Sequence, residues 1–224
     1  MSVWAVLAAA GRGERLGLER PKAFAPLRGR PLLAESLERL EASAWVEGMV
    51  VAAPPGWEEP TILLAEELGC GKVVACVRGA SNRAESVRAA LLEVPAEAGV
   101  VLVHDAARPL LSEDVIERVV SALGNAWDGV VPALPFPDTV KRVEDGRVTE
   151  TLDRTGLVGV QTPQAFIASV LRQAFAAPPQ SLVRAGDCAS LVEAAGGRVG
   201  VVEGDRRLLK VTTLDDLGVV AAML

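Results

Sequence analysis

The sequence predicts an α/β protein with a mostly parallel, twisted sheet in a three-layer arrangement. Two observations along its 224 residues support this fold class. Short apolar runs alternate with segments of helical periodicity, which is the order that places helices against a parallel sheet. The runs are apolar on both faces, as expected of strands that helices cover from both sides. One segment departs from this order and predicts a protruding β-arm.

The alternating pattern gives the elements in chain order. Six apolar runs predict strands at Val3–Ala8, Gly48–Ala53, Lys72–Val77, Val100–His104, Val130–Leu134 and Val199–Glu203. Segments with apolar residues at helical spacing predict helices at Leu32–Leu40, Ile62–Leu68, Ala84–Leu92, Val115–Leu123, Ala165–Phe175 and Ala189–Ala195. A last helix follows Thr213, which has the spacing of a capping box with Asp216.

Residues 137–157 predict an inserted arm within an otherwise single domain, residues 1–224. Alternating side chains flank Asp145-Gly146, and Asp-Gly between such runs is typical of a β-hairpin. The hairpin has few large apolar residues on either face, and an isolated two-stranded ribbon is marginally stable in water. We therefore expect the arm to pack against a second copy of the chain, which predicts a homodimer.

Composition bounds the classes of partner and the compartment. A net charge of −6 and a pI near 5 argue against nucleic acid as the main partner. No window of eighteen residues is free of charge, so no membrane-spanning segment is expected. The cysteines, Cys70, Cys76 and Cys188, are odd in number and lack the spacing of metal ligands. They predict buried thiols in a reducing cytoplasm.

The segment Ala9–Gly17, directly after the first strand, predicts a polyphosphate-binding loop. Its glycines allow close approach of a ligand to backbone N–H groups. Their spacing, Gly-x-Gly-x-x-x-Gly, fits neither the dinucleotide fingerprint nor the P-loop. Arg15 and Lys22 add two positive charges near the same place. A net acidic chain that binds a polyanion must concentrate its cations locally in this way.

The segment Asp105–Pro109 ends another predicted strand and offers a carboxylate. Hard oxygen ligands suit Mg²⁺ shared with phosphates, so Asp105 is a candidate metal ligand. Arg108 either contacts phosphate or folds back on Asp105, and His104 is expected to be packed or hydrogen-bonded rather than a base. Carboxyl ends of parallel strands meet at one edge, so this segment is expected to face Ala9–Gly17.

Two further segments are candidates for the same site. Ser81 or Asn82 caps the helix that begins near Arg83, or contacts a base or ribose, and the sequence leaves both roles open. Lys210 lies between apolar residues just before the last helix. Its ammonium either snorkels to solvent or points into a site, and we favour the site.

Seven motifs in order carry a family resemblance: Ala-Ala-Gly-x-Gly-x-Arg, Pro-Lys, Arg-Ala-x-Ser-Val, Val-His-Asp-Ala-Ala-Arg-Pro, Asp-Thr-Val-Lys, Gln-Thr-Pro-Gln and Lys-Val-Thr. From Val3 to Leu217 the chain resembles the 2-C-methyl-D-erythritol 4-phosphate cytidylyltransferases of non-mevalonate isoprenoid biosynthesis. The resemblance implies a Rossmann-like nucleotidyltransferase fold. It also implies Mg²⁺-dependent, in-line attack of the acceptor phosphate on the α-phosphate of CTP.

The resemblance also implies residue roles. The implied catalytic residues are Arg15, Lys22, Arg154 and Lys210. The implied nucleotide contacts are Ala9, Ala10, Gly11, Gly13, Ala80, Ser81, Ser86, Ala106 and Lys210. The implied acceptor contacts are Asp105, Arg108, Thr139, Arg154 and Thr162, with Asp105 also near Mg²⁺. Arg154 follows the predicted arm, so the dimer would deliver it into the partner's site.

The chain departs from the family pattern at three places and leaves alternatives open. It has Gly79–Asn82 before the Arg-x-x-Ser helix, Cys188 where a carboxylate is common, and Leu208 in place of a polar residue before Lys210. Ribitol 5-phosphate cytidylyltransferase is the nearest alternative, and a UTP- or GTP-dependent synthase is a more distant one. An inert nucleotide-binding protein on the same fold is the alternative from another class.

Overall fold

The computed structural model describes residues 2–124 and 126–224, and its main feature is one eight-stranded sheet. The strands are β1 (Val3–Ala8), β2 (Pro26–Leu27), β3 (Arg30–Pro31), β4 (Gly48–Ala53), β5 (Val73–Arg78), β6 (Val100–Asp105), β7 (Gly129–Pro135), β8 (Lys141–Glu144), β9 (Arg147–Thr151), β10 (Val158–Val160), β11 (Gln164–Ile167) and β12 (Val199–Glu203). The helices are α1 (Leu32–Ala42), α2 (Glu58–Glu67), α3 (Arg83–Glu93), α4 (Glu113–Ser121), α5 (Ala168–Phe175), α6 (Pro179–Arg184), α7 (Cys188–Ala194) and α8 (Leu214–Met223).

Within the sheet, β1 pairs in parallel with β4 on one side and β6 on the other. The order is β10-β7-β11-β6-β1-β4-β5, and β12 pairs in parallel with β7. Within this eight-stranded sheet, the antiparallel pairings are those made by β10 and β11. The predicted mostly parallel α/β fold is thus confirmed. In the register of β1 and β6, Ala8 lies opposite Asp105, so the loops after these strands start side by side.

Alternate residues of the central strands pack into two separate apolar clusters. Ala5 and Leu7 of β1 contribute to the cluster that holds the buried faces of α1 and α4. Val6 contributes to the cluster beneath α3, α5 and α7. Successive side chains of a strand point to opposite faces, so the two-sided burial explains why the central strands are apolar throughout.

The structure corrects the prediction between residues 158 and 175. The predicted helix Ala165–Phe175 is wrong at its start, because Gln164–Ile167 forms β11 and the helix begins at Ala168. Ala165 and Phe166 are fully buried between β6 and β7, and this packing overrides the helical periodicity. Strand β10 was missed, because its three residues have a glycine at their centre.

The β8–β9 hairpin confirms the predicted arm structure. Asp145 and Gly146 both have positive φ, 49° and 78°, as a type I′ turn requires. Every residue of both strands is exposed, including Val143 and Val148 at 55% and 54%. The two strands pair with each other and lie outside the main sheet. The hairpin therefore buries none of its strand residues within its own chain.

The structure also bears on two expectations from composition, namely buried thiols and the lack of a membrane-spanning segment. All three cysteines are free, with Cys70 and Cys188 buried and Cys76 partly buried. Within the described ranges, no helix is both long enough and apolar enough to cross a membrane.

Strand β4 begins at a glycine because Trp4 of β1 occupies the space above it. A Cβ at Gly48 would lie 2.4 Å from the Trp4 ring. Gly48→Ala should therefore lower the free energy of unfolding by about 1–3 kcal/mol through overpacking. The measurement is urea denaturation of the purified variant.

Gly218→Ala is the matched control for that experiment. Gly218 lies in α8 with open space around it, so the added methyl should raise the free energy of unfolding by about 0.4–1 kcal/mol. Equal behaviour of the two variants would show that the Trp4 ring does not restrict Gly48.

Candidate active site

A cavity of about 300 Å³ opens where the carboxyl ends of β1, β4, β5 and β6 meet. Ligands of open α/β sheets bind at this edge. Four cationic side chains and one carboxylate line the cavity, although the whole chain is acidic. The lining residues are Ala8, Ala9, Ala10, Gly11, Arg12, Lys22, Ala23, Leu32, Pro55, Ala80, Ser81, Asn82, Arg83, Ser86, Asp105, Ala106, Ala107 and Lys210.

The loop after β1 depends on Gly13. This residue has a left-handed φ of 73°, and a Cβ there would lie 2.6 Å from the Cβ of Lys22. Only glycine allows the loop to lie so close to Lys22 in this conformation. A one-turn 3-10 helix, Glu14–Leu16, follows and is anchored by the buried side chain of Leu16. The glycine thus brings the loop and the lysine to one place.

Lys22 is a partly buried cation at the start of a 3-10 turn, Lys22–Phe24. Phe24 packs against Trp57 with ring centroids 4.5 Å apart, which fixes the turn. Burial and then repulsion from Lys210 lower the pKa of Lys22 to about 8. Two ammonium groups held near each other in this way favour an anion between them.

Asp105 is a buried carboxylate with a cation on each oxygen. Arg83 Nε donates to Oδ1 at 2.7 Å, and Lys210 Nζ donates to Oδ2 at 2.6 Å. Burial alone would raise the pKa of Asp105, but the charges of Arg83 and Lys210 and their hydrogen bonds hold it below its ordinary value of 3.8. The group is therefore ionised at neutral pH, and it orients both cations.

A chain of hydrogen bonds behind Asp105 accounts for His104. The backbone N–H of Asp105 donates to Thr162 Oγ1 at 3.0 Å, and that hydroxyl lies 3.1 Å from His104 Nδ1. His104 Nε2 lies 3.1 Å from the Arg108 carbonyl, which only accepts, so Nε2 carries the proton. Burial lowers the pKa of His104 to about 4. The histidine is thus neutral and hydrogen-bonded, as expected, and not aimed into the cavity as a base.

The N-terminus of α3 forms the opposite wall. Asn82 Oδ1 accepts from the Glu85 N–H at 2.9 Å, so Asn82 is the helix cap and Ser81 is not. Ser86 Oγ donates to the Asn82 carbonyl at 2.8 Å and accepts from the Ala80 N–H at 2.9 Å. Ser86 therefore fixes the backbone of the segment that precedes the helix.

Most of the residues predicted for the site come together in the cavity. Those that line it are Ala9, Ala10, Gly11, Lys22, Ala80, Ser81, Ser86, Asp105, Ala106 and Lys210. Those that lie outside its lining are Gly13, Arg15, Arg108, Thr139, Arg154 and Thr162. Gly13 and Thr162 act from behind the lining, through Lys22 and Asp105 respectively.

Three of the predicted residues outside the lining, Arg15, Thr139 and Arg154, are exposed. Arg15 lies on the loop after β1, and Thr139 precedes β8. Arg154 follows β9, and its Nη1 donates to the carbonyls of Phe136, at 3.2 Å, and Pro137. Arg108 was expected to contact phosphate or Asp105. Its Nη1 instead donates to the Leu208 carbonyl at 2.5 Å.

Two polar lining residues, Arg12 and Arg83, were not predicted from the sequence. Arg83 opens the Arg-Ala-x-Ser-Val motif, so the signal was present but had been assigned to the start of a helix. Its guanidinium bridges Asp105 and Cys188, with Nη1 3.4 Å from Cys188 Sγ. Burial raises the pKa of the Cys188 thiol, which therefore meets Arg83 as a neutral group.

The donor set limits how a magnesium ion fits. Among the described residues, no group of three or more His, Cys, Asp or Glu side chains could hold a metal ion. Asp105 is the single acidic residue in the cavity lining. Mg²⁺ is commonly bound by one or two carboxylates together with substrate phosphates and water. The residues therefore fit a magnesium ion for which the substrate supplies most ligands.

Comparisons with known proteins identify the family of the chain. The family model for 2-C-methyl-D-erythritol 4-phosphate cytidylyltransferase matches residues 3–224. The enzyme of that name from Saccharopolyspora erythraea is 45% identical over 100% of both chains. The one from Rubrobacter xylanophilus is 42% identical over 98% of this chain and 94% of its own.

Two solved structures of the same name extend the agreement to the backbone. That from Thermus thermophilus superposes with a TM-score of 0.79 at 34% identity, over 100% of this chain and 98% of the other. That from Francisella tularensis superposes with a TM-score of 0.84 at 28% identity, over 100% of both. The chain belongs to the 2-C-methyl-D-erythritol 4-phosphate cytidylyltransferase family.

Proposed function

We propose that the chain joins CTP and 2-C-methyl-D-erythritol 4-phosphate to give 4-CDP-2-C-methyl-D-erythritol and pyrophosphate, a step of isoprenoid precursor biosynthesis. The observation that best supports this proposal is the cavity at the strand ends, where Lys22, Lys210 and Arg83 surround the buried Asp105. An acidic chain that concentrates cations beside a glycine-rich loop is suited to a polyphosphate substrate.

The two walls of the cavity suggest how CTP lies in it. The backbone of Ala9–Gly11 would receive the triphosphate, with Gly13 keeping this loop close to Lys22. Ala80, Ser81 and Ser86 at the start of α3 would contact the cytosine, and Ala106 would lie against the ribose. Ser86 Oγ accepts a hydrogen bond from the Ala80 N–H at 2.9 Å. The backbone edge offered to the base is therefore rigid.

The chemistry needs no nucleophile from the protein. An oxygen of the acceptor phosphate attacks the α-phosphorus, the bond from that phosphorus to the bridging oxygen breaks, and pyrophosphate leaves with the electron pair. Lys22 would stabilise the charge that develops on the α-phosphate oxygens. Arg15 would do the same after its loop moves toward the cavity. Lys210, oriented by Asp105, would bind the phosphates at the point of transfer. Magnesium, held by Asp105 and the phosphates, would neutralise further charge.

The acceptor half of the proposed site is shared between two chains. Thr139 and Arg154 lie at the base of the exposed arm, outside the cavity lining of their own chain. We propose a homodimer in which the arm, residues 137–157, carries Arg154 to the acceptor phosphate of the partner's site. A planar guanidinium suits a phosphate dianion because it binds two oxygens at once. Arg108 and Thr162 would support this side by holding the Lys210 segment and Asp105.

The three free thiols suit a reducing compartment, and we propose the cytoplasm as the location.

The proposed reaction is tested by pyrophosphate release from CTP and Mg²⁺ with methylerythritol 4-phosphate and ribitol 5-phosphate as separate acceptors. We expect release with the first and little with the second. Release only with ribitol phosphate would change the acceptor and keep the mechanism. CTP binding without release from either acceptor would contradict the proposed enzyme and favour an inert nucleotide-binding protein.

The low pKa of Lys22 predicts a pH dependence. The ammonium form stabilises phosphate charge, and it is lost as pH rises through about 8, so kcat/KM for CTP should fall above that pH. In Lys22→Arg the guanidinium stays charged, so its kcat/KM should lack this fall even though its plateau is lower. An unchanged inflection in Lys22→Arg would assign the pH dependence to another group.

Delivery of Arg154 in trans predicts complementation between inactive variants. Arg154→Ala should raise KM for the acceptor and leave CTP affinity unchanged, and Lys22→Ala should lower kcat. Co-expressed together, they form mixed dimers with one intact site, so about a quarter of wild-type activity should return. In the control pair, Lys22→Ala with Lys210→Ala, each cavity of the mixed dimer carries one of the two changes, so neither site is intact and the pair should stay inactive. No recovery in the first pair, or a monomer by light scattering, would contradict the shared site.

A further inference from the structure

Lys210 lies in a segment without helix or strand, and this raises the question of what fixes it. Residues 204–213 connect β12 to α8. The Lys210 side chain is 40% exposed, and a flexible four-carbon stem holds a charge loosely unless its backbone is fixed. Yet its Nζ lies 2.6 Å from Asp105 Oδ2. Contacts to the backbone of this segment must therefore position the ammonium.

Gln161 makes the most extensive of these contacts. Its Nε2 donates to the Asp205 carbonyl at 2.8 Å, and its Oε1 accepts from the Asp205 N–H at 2.9 Å. The side-chain amide thus pairs with both backbone groups of one residue. Gln161 is 7% exposed, so neither bond competes much with water. The next residue of the segment that is held from outside is Leu208, through Arg108.

Gly204 shows that the approach to Gln161 is close. A Cβ at Gly204 would lie 2.3 Å from Gln161 Oε1 and 3.0 Å from the Ala133 carbonyl. Gly204 N–H also donates to that carbonyl at 2.9 Å. A side chain at position 204 would therefore displace the Gln161 amide oxygen that accepts from the Asp205 N–H.

The neighbour of Gln161 acts on the other half of the ion pair. Thr162 Oγ1 accepts from the Asp105 N–H, while Gln161 binds the segment that carries Lys210. Both residues occupy the short break between β10 and β11, where Gln161 N–H donates to the Pro132 carbonyl at 2.7 Å. Two adjacent residues thus help to place Asp105 and the segment that carries Lys210, in which the Val211 N–H also donates to the Ala107 carbonyl at 2.8 Å.

We infer that Gln161 is a positioning residue for Lys210 and contributes to turnover through it, without contacting substrate. The inference rests on the proposed function, in which Lys210 binds the reacting phosphates. Displacement of a catalytic group by about 1 Å can lower a rate by about a hundredfold, so a loosened segment 204–213 should slow the reaction while leaving the nucleotide half of the cavity intact.

The test is a double-mutant cycle between Gln161→Met, which keeps side-chain volume but loses both hydrogen bonds, and Lys210→Met. Gln161→Met alone should lower kcat by about 10- to 100-fold, a larger effect than its effect on CTP affinity. In the Lys210→Met background it should lower kcat by less than about twofold more, because the group it positions is gone. An equal loss in both backgrounds would overturn the inference.

Arg172→Met is the matched control for a loss of stability alone. Arg172 also ties backbone together, donating to the carbonyls of Leu91, Val94 and Pro95 at the end of α3 remote from the cavity. Its variant should lower the melting temperature and keep kcat. Should Gln161→Met fail to fold, Gln161→Glu, which retains the acceptor for the Asp205 N–H, takes its place. A loss of kcat in Arg172→Met as large as that in the Gln161 variant would overturn the inference.

Hydrogen exchange separates this inference from the proposed function. Amides of residues 204–213 should exchange faster in Gln161→Met, with those of α3 unchanged. Unaltered exchange in residues 204–213 would overturn the positioning role of Gln161, whatever the activity. A wild-type protein that releases no pyrophosphate would overturn the proposed function, while the exchange comparison still supports or overturns the positioning role of Gln161.

Discussion

The candidate site depends on one buried charge, the carboxylate of Asp105. An ionised carboxylate removed from water costs several kcal/mol unless it is paired and hydrogen-bonded. Here Arg83 from the start of α3 and Lys210 from the segment before α8 supply the pairs, and Thr162 accepts from its backbone N–H. Segments far apart in sequence are thus brought to the end of β6 by a single electrostatic requirement, and each of them also lines or supports the cavity.

Charge at the cavity contrasts with charge on the whole chain. The chain is net acidic, yet cations outnumber carboxylates in the lining. Burial lowers the pKa of Lys22, and Lys210 lowers it further, so both lysines are held where a polyanion would stabilise them. The same arrangement explains how a protein whose one histidine is buried and neutral can be suited to phosphoryl-group chemistry. Positioned charge replaces acid–base groups.

The arm, which lies outside the main sheet, and the break between β10 and β11 depart from the regular alternation of strands and helices. The arm exposes every residue of its strands, which is costly for Val143 and Val148 unless a second surface covers them. The break carries Gln161 and Thr162, which bind two backbone segments of the site.

The sequence by itself determined the central strands, most helices and the hairpin turn at Asp145-Gly146, because hydrophobic period and turn chemistry are local properties. The order of the motifs predicted that Lys22, Asp105 and Lys210 belong to one site. Tertiary structure alone decided the rest. Strand β11 forms because its residues are buried between two strands distant in sequence. The roles of Arg83 and Gln161 arise from partners 22 and 44 residues away. Pairing across such separations leaves no local periodicity, so only the folded chain reveals it.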